Sequence, residues 1–147
     1  MKIYLDNCCY NRPYDDQTQI RIHLETEAKL YIQDIIKNGG LALVTSYMLE
    51  YENGKNRFSH KRQAISDFMS THESYYVGIE RDEEAKKIAK DIMETGVKSI
   101  DALHVACAIL ADSDYFITTD DRLLKYQTEK IQIVTPGEFI RRMETVE

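Results

Sequence analysis

The apolar positions of this chain switch repeatedly between the short solid runs of strands and the three-to-four-residue repeat of helices. Residues 2–6 (KIYLD) alternate little and read as a strand buried on both faces. Residues 7–16 (NCCYNRPYDD) are rich in turn formers, and Pro13 stops any helix there. Residues 17–38 predict a long helix, with Ile20, Leu24, Ala28, Tyr31, Ile32, Ile35 and Ile36 as its inward stripe and Asn38-Gly39-Gly40 as its end. Residues 41–45 (LALVT) form a second strand, and Ser46 caps a short helix that runs to Asn53-Gly54. A basic stretch at 55–62 leads into a helix with Ala64, Ile65, Phe68 and Met69 inward, followed by a third strand at 75–79. Asp82 caps the next helix, whose apolar face is Ala85, Ile88, Ala89, Ile92 and Met93, with Gly96 at its end. After a helix at 99–112, strands at 115–118 and 131–134 flank a short helix at 120–126. Thr135-Pro136-Gly137-Glu138 then opens a last helix with a capping box and proline at its first position.

Strands alternating with helices from end to end predict an α/β fold: a mainly parallel sheet of four or five strands with helices on both faces. No linker or internal repeat interrupts residues 1–147, so one domain is expected. In such sheets, ligands bind beyond the carboxyl ends of the strands.

The helix at 99–112 (SIDALHVACAILAD) organises the rest. Ile100, Leu103, Val105, Ala106, Cys107, Ile109 and Leu110 cover most of its circumference, as in a helix enclosed on several sides. It is expected to pack on a central strand containing Asp6. Ser99 reads as its N-cap, which puts Asp101 in the first turn of an apolar segment. A carboxylate there is either satisfied by the N–H groups of the helix start or serves a cation. Two more acids end apolar runs, Asp6 after Ile3-Tyr4-Leu5 and Asp120 after residues 115–119. Asp121 competes with Asp120 as cap of the helix that follows. A fourth acid lies in residues 46–52 (SYMLEYE). On a helix, Glu52 shares a face with Met48 and Leu49, which should point to the core, whereas Glu50 projects elsewhere. Glu52 is therefore preferred over Glu50.

Charge and cysteine content narrow the chemistry. A formal net charge of −6 argues against nucleic-acid binding through a broadly basic surface. It leaves room for a nuclease whose acids hold a cation, because the ion supplies the local positive charge. Three cysteines, Cys8, Cys9 and Cys107, make no disulfide framework and no zinc spacing, and read as small, reduced, mostly buried side chains. No apolar run is long enough to span a bilayer and no signal-peptide pattern opens the chain, so a cytoplasmic location without membrane partners is expected.

Four segments in this order carry a resemblance: Ile3-Tyr4-Leu5-Asp6-Asn7, residues 46–52, Asp101-Ala102-Leu103-His104-Val105-Ala106, and Thr118-Thr119-Asp120-Asp121-Arg122. Together they resemble a PIN domain of the kind found in VapC-like toxin ribonucleases, over nearly the whole chain. Residues 7–17 (NCCYNRPYDDQ) depart from the small and apolar residues usual after the first aspartate, and Glu50 and Glu52 offer two registers for the glutamate.

The resemblance implies an acidic cluster of Asp6, Glu52, Asp101 and Asp120. Clustered carboxylates repel one another unless a hard cation neutralises them, and magnesium or manganese suits oxygen ligands. Asp6 and Asp101 would be primary metal ligands. Asp120 would hold a second metal or a metal-bound water, and Glu52 would orient or deprotonate the attacking water. The implied reaction is magnesium- or manganese-dependent hydrolysis of RNA phosphodiester bonds. Arg12, Arg122 and Lys125 are candidate phosphate contacts. Thr118 or Thr119 could hydrogen-bond an aspartate or a phosphate, or simply be β-branched strand residues. His104, three residues after Asp101 and near the same face, reads first as an ordinary helix histidine, with contact to substrate as the alternative. Residues 55–62 read as a solvated helix start, or as a contact for RNA or a partner.

The resemblance also implies the toxin half of a type II toxin–antitoxin pair: a homodimer neutralised by a small antitoxin protein. Tyr31, Tyr47, Tyr51, Tyr75 and Tyr76 offer more aromatic surface than a small monomer is expected to bury, which would suit a dimer interface. Two rival readings are a PIN-like module that binds RNA or protein without cutting, and a receiver-type signalling domain. The second would need an aspartate ending the strand at 41–45 and a lysine ending the last strand; neither is present.

Overall fold

A computed structural model of the chain describes residues 1–145. Strand β1 (Lys2–Leu5) leads through Asp6 into a short helix α1 (Asn7–Asn11) and a 3-10 turn (Arg12–Tyr14). Helix α2 (Ile20–Lys37), strand β2 (Ala42–Ser46), helices α3 (Tyr47–Gly54) and α4 (Ser59–His72) and strand β3 (Glu73–Val77) follow. Then come α5 (Asp82–Met93), α6 (Ser99–Leu110), β4 (Tyr115–Ile117), α7 (Asp121–Leu124), β5 (Gln132–Val134) and α8 (Pro136–Thr145).

The five strands form one all-parallel sheet in the order β3-β2-β1-β4-β5. The path from β1 to β2 and the return from β3 to β4 cross the sheet in opposite directions. Right-handed crossovers in opposite directions place their helices on opposite faces. Accordingly α2 packs with α8, and α5 packs with α6. The central strands are apolar on both faces and fully covered: Ile3, Tyr4 and Leu5 of β1, and Phe116 and Ile117 of β4, expose nothing. Tyr4 stacks on Phe116 across the β1–β4 pair, with centroids 5.2 Å apart. Helix α6 meets β1 where His104 reaches Tyr4. Chain direction across the sheet reverses between β1 and β4, which makes the crevice beyond their carboxyl ends the natural place for a ligand.

Several local expectations change. The segment after Asp6 is a helical turn rather than a loop. Asp6 is its N-cap, accepting the Asn7 N–H at 2.8 Å, and burial of Cys9 and Tyr10 anchors it. Pro13 falls early in the 3-10 turn, where its missing N–H leaves no bond unmade. In α2 the expected stripe is rotated. Ile20 and Leu24 are 78% and 61% exposed, while Glu25, Thr26, Lys29, Ile32 and Ile36 face inward. The buried charges have partners: Glu25 pairs with Arg12 of the 3-10 turn and with Arg21 of α2 itself, and the Lys29 ammonium lies near the rings of Tyr10 and Phe68. Ser99 and Asp82 are first helical residues rather than N-caps, since Lys98 and Arg81 hold those positions. Strand β3 sits two residues earlier than expected, at the sheet edge, which leaves Tyr75 and Tyr76 exposed.

Candidate active site

Asp6 leaves the carboxyl end of β1 with both carboxylate oxygens engaged. One accepts the Asn7 N–H, and the other accepts the Thr118 hydroxyl at 2.8 Å, with the Cys8 thiol at 3.5 Å. Thr118, buried at the end of β4, in turn accepts the Asp120 N–H at 3.1 Å. One hydroxyl thus ties the two strand-end aspartates together. Asp120 caps α7 through the Arg122 N–H at 2.9 Å. Asp101 lies in the first turn of α6.

Glu52 closes the arrangement from α3. Its carboxylate is hydrogen-bonded to Nε2 of His104, whose Nδ1 lies 2.6 Å from the Tyr4 hydroxyl; that hydroxyl is also 2.7 Å from Ser46 Oγ. His104, Tyr4 and Ser46 are fully buried. An ionised carboxylate only accepts hydrogen bonds, so Nε2 of His104 carries the proton shared with Glu52. Burial holds Tyr4 as the neutral phenol, hydrogen-bonded to both Nδ1 and Ser46 Oγ. Ser46 also accepts the Leu49 N–H at 3.2 Å. The result is a continuous hydrogen-bonded chain from the α3 backbone to the Glu52 carboxylate.

Asp6, Glu52, Asp101 and Asp120 line one cleft of about 390 Å³, together with Cys8, Asn11 and Asp15. Partial burial, then the negative charges of Asp6 and Asp120 with a smaller share from Glu52, push the Asp101 carboxyl above its ordinary range; His104 acts in the opposite sense. Glu50 lies outside the cleft, hydrogen-bonded to Tyr76, and Asp121 pairs with Arg21 at 2.8 Å. Asp6, Glu52 and His104 each bring a donor atom to within 4.8 Å of the others. Because His104 Nε2 already serves Glu52, the open donors are carboxylate oxygens, a set that suits a hard divalent cation.

The candidate cations are distributed unevenly. Arg12 is bound by Asp15 and Glu25, each at 3.1 Å. It lines a second hollow beside Asp120, with Arg21 and Arg122. Arg122 and Lys125 make no ion pair among the described residues. In the basic stretch, Lys55 stands 4.2 Å from the Tyr51 ring and Arg57 5.2 Å from Phe58, both rings being exposed. Thr119 takes part only through its backbone, its N–H pointing at Cys8 Sγ and its carbonyl accepting from Arg21. Cys8 is half-buried; Cys9 and Cys107 are buried, and all three thiols are free.

Among known proteins, the family model for the PIN domain matches residues 20–129. The chain belongs to the PIN domain family. The matched span includes Glu52, Asp101 and Asp120 of this PIN domain and stops short of Asp6, which the fold alone brings to the cleft. Membership sets aside the receiver-type alternative. A crystal structure of VapBC2 from Rickettsia felis, bound to a DNA fragment from their promoter, shares the fold. It aligns with a TM-score of 0.53 at 13% identity, over 90% of this chain and 97% of that one. A comparison with curated proteins finds no match. No helix among the described residues is long and apolar enough to cross a membrane.

What the sequence did not reveal is the link from His104 to Glu52 and Tyr4. The signal was weak but present: His104 lies one helical turn after Asp101, inside the same buried segment, where an imidazole must find polar partners.

Proposed function

We propose that this PIN domain is a metal-dependent endoribonuclease and the toxin component of a type II toxin–antitoxin pair. The observation that carries the reading is the cleft at the β1–β4 reversal, which Asp6, Glu52, Asp101 and Asp120 line together, and where burial, with the charges of Asp6 and Asp120 beside it, raises the Asp101 pKa. Family membership supports nuclease chemistry.

Asp6, Asp101 and Asp120 would hold magnesium or manganese. A bound divalent ion supplies positive charge to the phosphate and eases deprotonation of water. The chain's own residues do the positioning. Thr118 holds Asp6 and the Asp120 backbone in register. Glu52, kept in orientation by the His104–Tyr4–Ser46 chain, accepts the proton of the attacking water. Attack at phosphorus breaks one phosphorus–oxygen ester bond, and the leaving oxygen takes up a proton from solvent. Arg122 and Lys125 contact phosphates of the strand, and Arg12 does so by exchanging Asp15 for a phosphate. A small antitoxin, a homodimeric assembly and a cytoplasmic setting complete the reading. The exposed rings of Tyr31, Tyr51, Tyr75 and Tyr76 support a protein interface.

The test is incubation of the purified protein with single-stranded RNA. Cleavage in magnesium or manganese that chelator abolishes is expected. RNA left intact in both metals at high enzyme concentration would favour the non-cutting binding module.

A further inference from the structure

On the Asp101 side of the acidic cleft lies a further hollow of about 360 Å³, within the size range of small-ligand pockets. Asp101 lines both, so the two share a wall. The hollow lies between the α5–α6 turn and the end of α7. Its lining includes Lys98 from the turn, Arg122 from α7, and Lys125, Tyr126 and Gln127 just after it. On a chain of net charge −6, three cations around one hollow are a local reversal of sign. None of the three makes an ion pair among the described residues, whereas Arg12 and Arg21 across Asp120 are held by carboxylates. Free cations with one aromatic ring and one side-chain amide match the parts of a nucleotide: phosphate, base face and base edge.

We propose that this hollow is a nucleotide subsite for the RNA strand. Lys98, Arg122 and Lys125 hold phosphates there, Tyr126 stacks on the base, and Gln127 reaches its edge. The proposal rests on the nuclease reading and deepens it. Because Asp101 forms the shared wall, a nucleotide in the hollow belongs to the strand whose neighbouring phosphate faces the acids. The subsite would grip the strand on one side of the bond to be cut. It would also give a protein of acidic overall charge a localised hold on RNA, one that leaves the acids free for a cation.

The test is fluorescence anisotropy of a 5′-labelled single-stranded RNA hexamer, with calcium in place of magnesium, over a range of salt concentrations. Lys98→Ala combined with Lys125→Ala is expected to weaken binding tenfold or more. The slope of log affinity against log salt should flatten by about 1.4, the share of two phosphate contacts on a single strand. Tyr126→Leu, which keeps apolar packing but removes the ring, should weaken binding about fivefold or more, and Tyr126→Phe should not. Lys37→Ala with Lys130→Ala, toward the amino ends of β2 and β5 and away from the cleft, should leave the slope near that of the unaltered protein. Equal affinity and slope in the Lys98/Lys125 variant would overturn the subsite while leaving the nuclease reading intact. A hexamer neither bound nor cut by the unaltered protein would overturn that reading, and the subsite with it.

Discussion

The proton acceptor we propose, Glu52, must be held still, and the hydrogen bond from the buried His104 does this. Replacing His104 with Ala leaves Glu52 free to rotate and the Tyr4 hydroxyl with Ser46 in place of two partners. We expect kcat to fall about 10- to 100-fold, the usual effect of losing a partner that orients a site residue, with KM little changed. His104→Gln, which can still donate to Glu52, should restore part of the loss; equal loss in both variants with equally lowered melting temperatures would mark His104 as merely structural. Glu52→Gln should depress RNA cleavage far more than Glu50→Gln, and the reverse ranking would move the proton acceptor to Glu50. Asp101 makes a prediction about stability. Its folded pKa lies above the unfolded one, so its ionisation costs the metal-free fold stability, a cost absent below the unfolded pKa and growing as pH rises through the folded pKa. Asp101→Asn should therefore melt at or above the unaltered protein at neutral pH without metal, the difference closing as pH falls. A clear drop in melting temperature would contradict this sign. Asp6, Asp101 and Asp120 were legible in the sequence because each interrupts an apolar run. His104 was not, because its meaning lies in Tyr4 and Glu52, which are 100 and 52 positions away.

Helix α2 shows why element positions were easier to read than element faces. Apolar residues surround much of it, so periodicity selected Ile20 and Leu24, which the fold leaves exposed. What settles the inward face is the company provided by α1, α4 and the 3-10 turn: aromatic rings for Lys29 and Arg12 for Glu25. Burial lowers the Lys29 pKa from an ordinary 10.5 to about 8. The unfolded chain therefore holds this proton through a range where the folded one has lost it, so the Lys29 contribution to stability rises with pH between about 8 and 10.5. Lys29→Met should be neutral or stabilising by about 1 kcal/mol or more at pH 7, and should flatten that rise. Chemical denaturation at pH 7 and pH 10 checks both; marked destabilisation at pH 7 would show that the ammonium is worth more to the fold than its burial costs.

At the scale of the molecule, the alternation of strands and helices was enough to give the parallel sheet, and the sheet's reversal between β1 and β4 was enough to place the cleft. The strand order and the α1 turn were less legible, because both depend on contacts between distant segments. Exposed Ile20, Leu24 and Tyr31 on α2, with Tyr75 and Tyr76 on the edge strand, leave apolar surface that a homodimer would cover. Sedimentation at micromolar concentration should show a dimer, and a monomer throughout would contradict it. The convergence of four acids into one metal-dependent site is tested most directly by RNA cleavage with the Asp101→Asn protein. In magnesium or manganese it should lose on the order of 100-fold or more in rate while remaining folded, since several kcal/mol of charge stabilisation goes with the lost ligand. Metal-dependent cleavage at the unaltered rate by the folded Asp101→Asn protein would contradict the acidic site as the seat of catalysis.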